Sequence, residues 1–156
     1  MRNLYITFTA SRYFDESSYY LKRVVREAVK ATLDYEDFPY DAEVSVTFCD
    51  NEYIRGLNNE FRGIDRHTDV LSFPMYEDGD FDEVECAGGA VLGDIVISIE
   101  RAKEQAKEIG NTFHHEVAFL TVHSVLHLLG YDHERSPEDE EAQCQRQRAI
   151  IENIDI

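Results

Sequence analysis

Eleven residues constrain this chain more than any others: His123-Ser-Val-Leu-His127-Leu-Leu-Gly130-Tyr-Asp-His133. On a helix, positions i and i+4 share one face, a turn apart, so the imidazoles of His123 and His127 can grip one ion. Gly130 is the residue type that ends helices, because it tolerates a left-handed backbone. The chain can turn there, and Tyr131 and Asp132 carry His133 back toward the same point. Three imidazoles and an open position make the ligand set of a catalytic zinc site, whereas structural zinc sites are usually closed by four protein ligands. The preceding turns are apolar at Val117, Phe119, Leu120 and Val122, and Leu126, Leu128 and Leu129 continue the pattern. This is the composition of a central, buried helix, which would hold the metal rigidly.

The spacing H-x-x-x-H-x-x-G-x-x-H is that of the metzincin proteases, and the departures from their pattern matter as much as the match. Those enzymes carry Glu after the first His as general base. Here that position is Ser124, whose hydroxyl cannot take the role near neutral pH. No Met follows Met75, so a Met-turn is missing too. Peptide hydrolysis by the usual route is disfavoured.

The rest of the chain supplies a small scaffold. Residues 3–9 (NLYITFT) read as a first strand. A helix follows from Ser17 to Asp34, with Leu21, Val24, Val25, Ala28, Val29 and Leu33 recurring at three and four. Residues 43–49 alternate as a second strand, and Asp50 is placed to cap a short helix over 50–60. DVLSFP, stopped by Pro74, and AVLGDIVIS (90–98) are the remaining strands. Ser98 caps the helix IERAKEQAKEI, ended by Gly110, and Asn111 is the expected cap of the metal helix TFHHEVAFLTVHSVLHLL. A last helix opens at Ser136 with Pro137 in its first turn. The order β-α-β-α-β-β-α-α-α predicts an α+β fold: one domain over residues 1–156, a small mixed four-stranded sheet packed with about five helices.

Composition narrows the function classes. Net charge is −17, which argues against broad phosphate binding through Lys and Arg. A metal and a few arginines can still form a local positive cleft. Residues 76–87 hold six acids and no base and read as a solvated loop. Cys49, Cys86 and Cys144 form no C-x-x-C pair, so buried or free thiols in a reducing compartment are expected. No apolar run is long enough for a membrane span, and the N-terminus reads as a strand rather than a signal peptide. A cytoplasmic protein is the expectation.

HSVLHLLGYDH, together with LGDIVIS, TDVLSFP and the upstream NNEFRG, resembles the YbeY-type endoribonucleases, also described as rRNA maturation factors. The likeness runs from about residue 44 to residue 135, with Ser124 in place of the family's glycine. It implies one zinc ion held by His123, His127 and His133 with water in the fourth position, and an essential arginine at Arg62. It further implies cleavage of single-stranded rRNA, maturation of the 16S 3′ end and a part in ribosome quality control. The partners implied are the small ribosomal subunit or its proteins, with no DNA and no membrane. Either a water activated at the zinc or the RNA 2′-hydroxyl could attack, the metal polarising a phosphoryl oxygen in the second case. Arg62 would pair with the phosphate in bidentate fashion.

Other residues rank lower. Arg55, Arg66 and His67 are secondary candidates for a substrate-facing patch. Asp69, Asp94 and Asp132 are candidates to orient a ligand imidazole, against a turn or cap role for the first two. Glu116 shares a face with His123 but lies about 10.5 Å away along the helix, too far to share an ion. His114 and His115 read as partly exposed residues near the helix start. Two other classes compete: a metal-dependent hydrolase of another substrate, such as an atypical protease or small-molecule hydrolase, and a ribosome-associated binding protein with a structural metal.

Overall fold

The computed structural model describes residues 2–11, 19–76, 79–81, 84, 89–131 and 136–154. Among them run β1 (Leu4–Ala10), α1 (Tyr19–Tyr35), β2 (Asp41–Cys49), α2 (Asn51–Arg62), β3 (Val70–Pro74), β4 (Gly89–Ser98), α3 (Ile99–Ile109), α4 (Phe113–Leu128) and α5 (Pro137–Glu152). The expected α+β class, with a mixed four-stranded sheet and five described helices, is what the chain forms. No described helix is long and apolar enough to cross a membrane.

The sheet order is β1-β2-β4-β3. β1 runs parallel to β2 and β2 to β4, whereas β3 lies antiparallel on the outer edge of β4. Side chains alternate across a strand, and the two faces are covered differently. Leu92, Ile95 and Ile97 of β4 belong to the large core with Leu21, Val24, Val25, Ala28 and Leu33 of α1 and the apolar residues of α4. Val96, on the other face, joins Leu71, Cys49 and Ile54 in a smaller cluster beneath α2. The two helices nearest the chemistry, α2 and α4, therefore approach the β3 edge from opposite faces.

α4 packs against α1, α3, α5, β3 and β4. Val117, Ala118, Val122, Val125, Leu126 and Leu128 are fully buried on it. Its apolar character on nearly every side follows from that central position.

Three of the proposed caps form as expected. Asp50, Ser98 and Ser136 each accept from the backbone N–H three residues on. The cap of α4 does not: Thr112, not Asn111, accepts from His115 N–H at 3.1 Å. The reason is that Asn111 N–H closes the end of α3 on Ala106 O, at 2.9 Å. The acidic segment also differs from a purely solvated loop where it is described. Val84 is fully buried, and the Phe81 ring sits 5.2 Å from Phe38 and 4.9 Å from Tyr76. Its apolar residues anchor it to the core, an outcome its run of acids conceals.

Candidate metal centre

α4 delivers His123 and His127 to one face, half-buried and separated by roughly 6 Å of rise. The helix ends immediately after them. Gly130 takes φ 107°, its N–H donates to His127 O at 3.0 Å, and Tyr131 N–H donates to Leu126 O at 3.0 Å. Tyr131 is thereby folded back against the last turn, as the glycine predicted. His133, the third expected ligand, lies outside the described residues together with Asp132. Among the described residues no group of three or more metal-ligating side chains converges.

His123 is held by α5, a contact that the sequence reading missed. Gln143 Nε2 lies 3.2 Å and Gln147 Nε2 2.8 Å from His123 Nδ1. Both glutamines are almost fully buried. With Ile150 they form the inner stripe of α5, at i, i+4 and i+7. A glutamine at a core position was the available signal, since helices normally turn an apolar stripe inward. With Nδ1 turned to the two amides, Nε2 is the ring atom left to ligate zinc, which it can do in the neutral tautomer that carries its proton on Nδ1. The donors present therefore fit such a metal.

The same helix braces Tyr131. Arg146 Nη1 pairs with Glu36 Oε2 at 2.7 Å, and its guanidinium lies 4.9 Å from the centre of the Tyr131 ring. Burial, then the hydrogen bond to Glu36, push the Tyr131 hydroxyl up to about 12, so it stays a donor across the physiological range.

A second polar cluster lies at the start of α4. Gln105 of α3 donates to Asp69 Oδ2 at 3.2 Å and to Glu116 Oε1 at 3.4 Å. Asp69 also accepts from Val70 N–H at 2.7 Å, so its role is to start β3 and tie it to α3. Glu116 is almost fully buried, and burial, reinforced by Asp69, raises its pKa. A carboxyl whose folded pKa lies above its unfolded one supports the fold fully below the unfolded pKa, and that support is lost as pH rises through the folded pKa. Glu116→Gln keeps the hydrogen bond from Gln105 and removes the charge. It is expected to stabilise the protein at pH 7 by about 1 kcal/mol, the scale of one polar group's desolvation, and by nothing at pH 4. Denaturant unfolding at both pH values checks this; an equal gap at both would show that the carboxyl is unperturbed.

Arg62 stands exposed at the last position of α2. Its neighbour Phe61 stacks edge-on against Phe73 of β3, centroids 5.2 Å apart. Gly93, opposite Pro74 in the ladder, is crowded by the Phe73 carbonyl and by Leu128 of α4. Gly93 thus has the Phe73 backbone on one side and the end of α4 on the other. Arg55, exposed on α2, binds Asp65 in bidentate fashion at 2.8 and 3.3 Å. Arg66 and His67 are exposed in the loop before β3, and Asp94 is exposed on β4.

His114 is half-buried and edge-on to Tyr20 at 4.6 Å, a packing role at the helix start. Cys49 donates to Ile97 O at 3.5 Å, and burial pushes its thiol up to about 12, which makes it inert. Cys86 lies outside the described residues. Ser124 is fully buried and its hydroxyl has no partner among the described residues, a desolvated polar group that does not stabilise the fold.

Comparison with known proteins agrees with this architecture. The family model described as endoribonuclease YbeY matches residues 8–155. An endoribonuclease YbeY of Caldanaerobacter subterraneus subsp. tengcongensis is 49% identical over 144 residues, covering 87% of this chain and 89% of that protein. One from Acetivibrio thermocellus is 46% identical, covering 85% of this chain and 86% of its own length. The solution structure of a Thermotoga maritima protein aligns with a TM-score of 0.64 at 28% identity, covering 94% of this chain and 87% of the other. The chain belongs to the endoribonuclease YbeY family.

Proposed function

We propose that this protein is a zinc-dependent endoribonuclease that cleaves single-stranded RNA in the cytoplasm and acts in maturation of the 16S rRNA 3′ end, in contact with the small ribosomal subunit. The observation that carries the reading is the histidine pair of α4: two imidazoles on one face, the first held at Nδ1 from behind, on the most enclosed helix of the fold. His133 completes the ligand set in this reading. The bound zinc would act as a Lewis acid toward a phosphoryl oxygen and lower the pKa of a nearby water or hydroxyl.

The chain's own residues supply the rest. The Arg62 guanidinium offers paired N–H donors that match two phosphate oxygens, and it gains most where negative charge develops in the transition state. With net charge −17 the protein attracts RNA only locally, so the arginine must act at contact range rather than by steering.

The test is cleavage of a labelled single-stranded RNA carrying an extended 16S 3′ end, beside the same RNA in duplex. Protein as purified, stripped by chelator, and reloaded with zinc are compared, with metal content measured in each. Single-strand cleavage should vanish on stripping and return with zinc. Cleavage by stripped protein, or none by metal-loaded protein, would sink the reading. Arg62→Ala should bind zinc normally and lose roughly 10²–10³-fold in kcat, the cost of removing one charge-stabilising donor. Wild-type turnover in that variant would refute the role given to Arg62.

A further inference from the structure

The contact between α5 and His123 carries a consequence for the ring's protonation. His123 Nδ1 offers either one lone pair or one N–H, yet two amide groups converge on it. Both glutamines cannot donate to it at once. The oxygen and nitrogen of a glutamine amide have nearly the same shape and exchange places by a half-turn of the terminal torsion. Gln143 Oε1 is buried and has no partner among the described residues, which marks this amide pair as one with an unspent acceptor. The two orientations have opposite effects. An amide N–H donated to Nδ1 leaves the ring proton on Nε2, and that nitrogen cannot ligate. An amide oxygen at Nδ1 accepts the ring proton there and leaves the Nε2 lone pair free.

We propose that Gln147 is a positioning residue for the metal centre: its Oε1 accepts the Nδ1 proton of His123, selecting the tautomer whose Nε2 ligates. The inference rests on His123 being a ligand. Gln147 is assigned the acceptor role because its amide is the nearer, at 2.8 Å against 3.2 Å. Both side chains belong to α5.

Zinc affinity, read by competition with a chromophoric chelator, tests this without any turnover assay. Gln147→Leu keeps the volume and removes the acceptor. It should bind zinc about 10–100-fold more weakly, the usual cost of losing an outer-shell partner. Gln147→Glu can only accept from Nδ1, so it should match or exceed wild-type affinity. A merely structural role predicts the reverse, because it would bury a carboxylate where a neutral amide stood. Two-bond proton–nitrogen correlations of metal-free wild type should show the His123 proton on Nδ1, a readout that depends on no variant folding. Unchanged affinity in Gln147→Leu, lost affinity in Gln147→Glu, or a proton on Nε2 would each overturn the proposal while leaving the metal reading intact. A wild-type chain that binds no zinc would overturn both.

Discussion

His127→Ala is expected to remove bound zinc and RNA cleavage together while the fold survives. Loss of an outer-shell partner costs roughly 10–100-fold in affinity or activity, and loss of a ligand must exceed that. The side chain is only half-buried and sits at the last turn of α4, so its removal opens little of the core. The clearest readout is linkage. A ligand present at 100 times its Kd stabilises the folded state by about 2.7 kcal/mol. For a chain of this size that is a rise in Tm of roughly 5–10 °C. Zinc should produce this rise in wild type and none in His127→Ala, with equal melting of the two metal-free proteins. His114→Ala, on the first turn of the same helix, should keep both the shift and the cleavage. A variant at position 127 that still melts higher with zinc would remove this residue from the ligand set.

Gly93→Ala should be the most damaging methyl group that can be added to the sheet. Gly93 has φ 142°, a conformation side chains rarely adopt, at the irregular step where the register of β2 against β4 shifts. A Cβ there would overlap the Phe73 carbonyl oxygen and lie 3.1 Å from Leu128 Cδ2. The first obstacle is backbone and cannot rotate away. Relief requires β3 to separate from β4 or α4 to lift off the sheet. We expect a loss of about 4 kcal/mol or more, the range reached only by severe overpacking or backbone conflict. Gly56→Ala provides the opposite sign. It lies exposed in the middle of α2 with nothing within 4 Å of a new Cβ, so alanine should stabilise by up to about 1 kcal/mol. Denaturant unfolding of both variants decides the matter; equal effects would show that space at these positions plays no part.

What could be read in the sequence was local. The stripe Leu21–Leu33 made α1 visible, side-chain caps fixed the starts of α2, α3 and α5, and a glycine break after two histidines located the end of α4. Each of these depends on residues a few positions apart. The missed features depend on contacts across the chain. Gln147 meets His123 across 24 residues, Arg146 meets Glu36 across 110, and nothing in either neighbourhood announces its partner. The burial of Glu116 was missed for the same reason: an acid in the first turn is the commonest surface pattern, and only the packing of α3 and Asp69 around it encloses it. The order β1-β2-β4-β3 likewise rests on pairing between distant segments, Asp41 with Gly89 among them, which no turn announces.

The enclosure of α4 by five neighbouring elements has a dynamic meaning. Local opening draws on segments with few buried contacts, and this helix has many, so its amides should exchange with solvent only when the whole domain unfolds. The backbone that carries the two histidines is then fixed in place before anything binds. Whatever enters must do the bending.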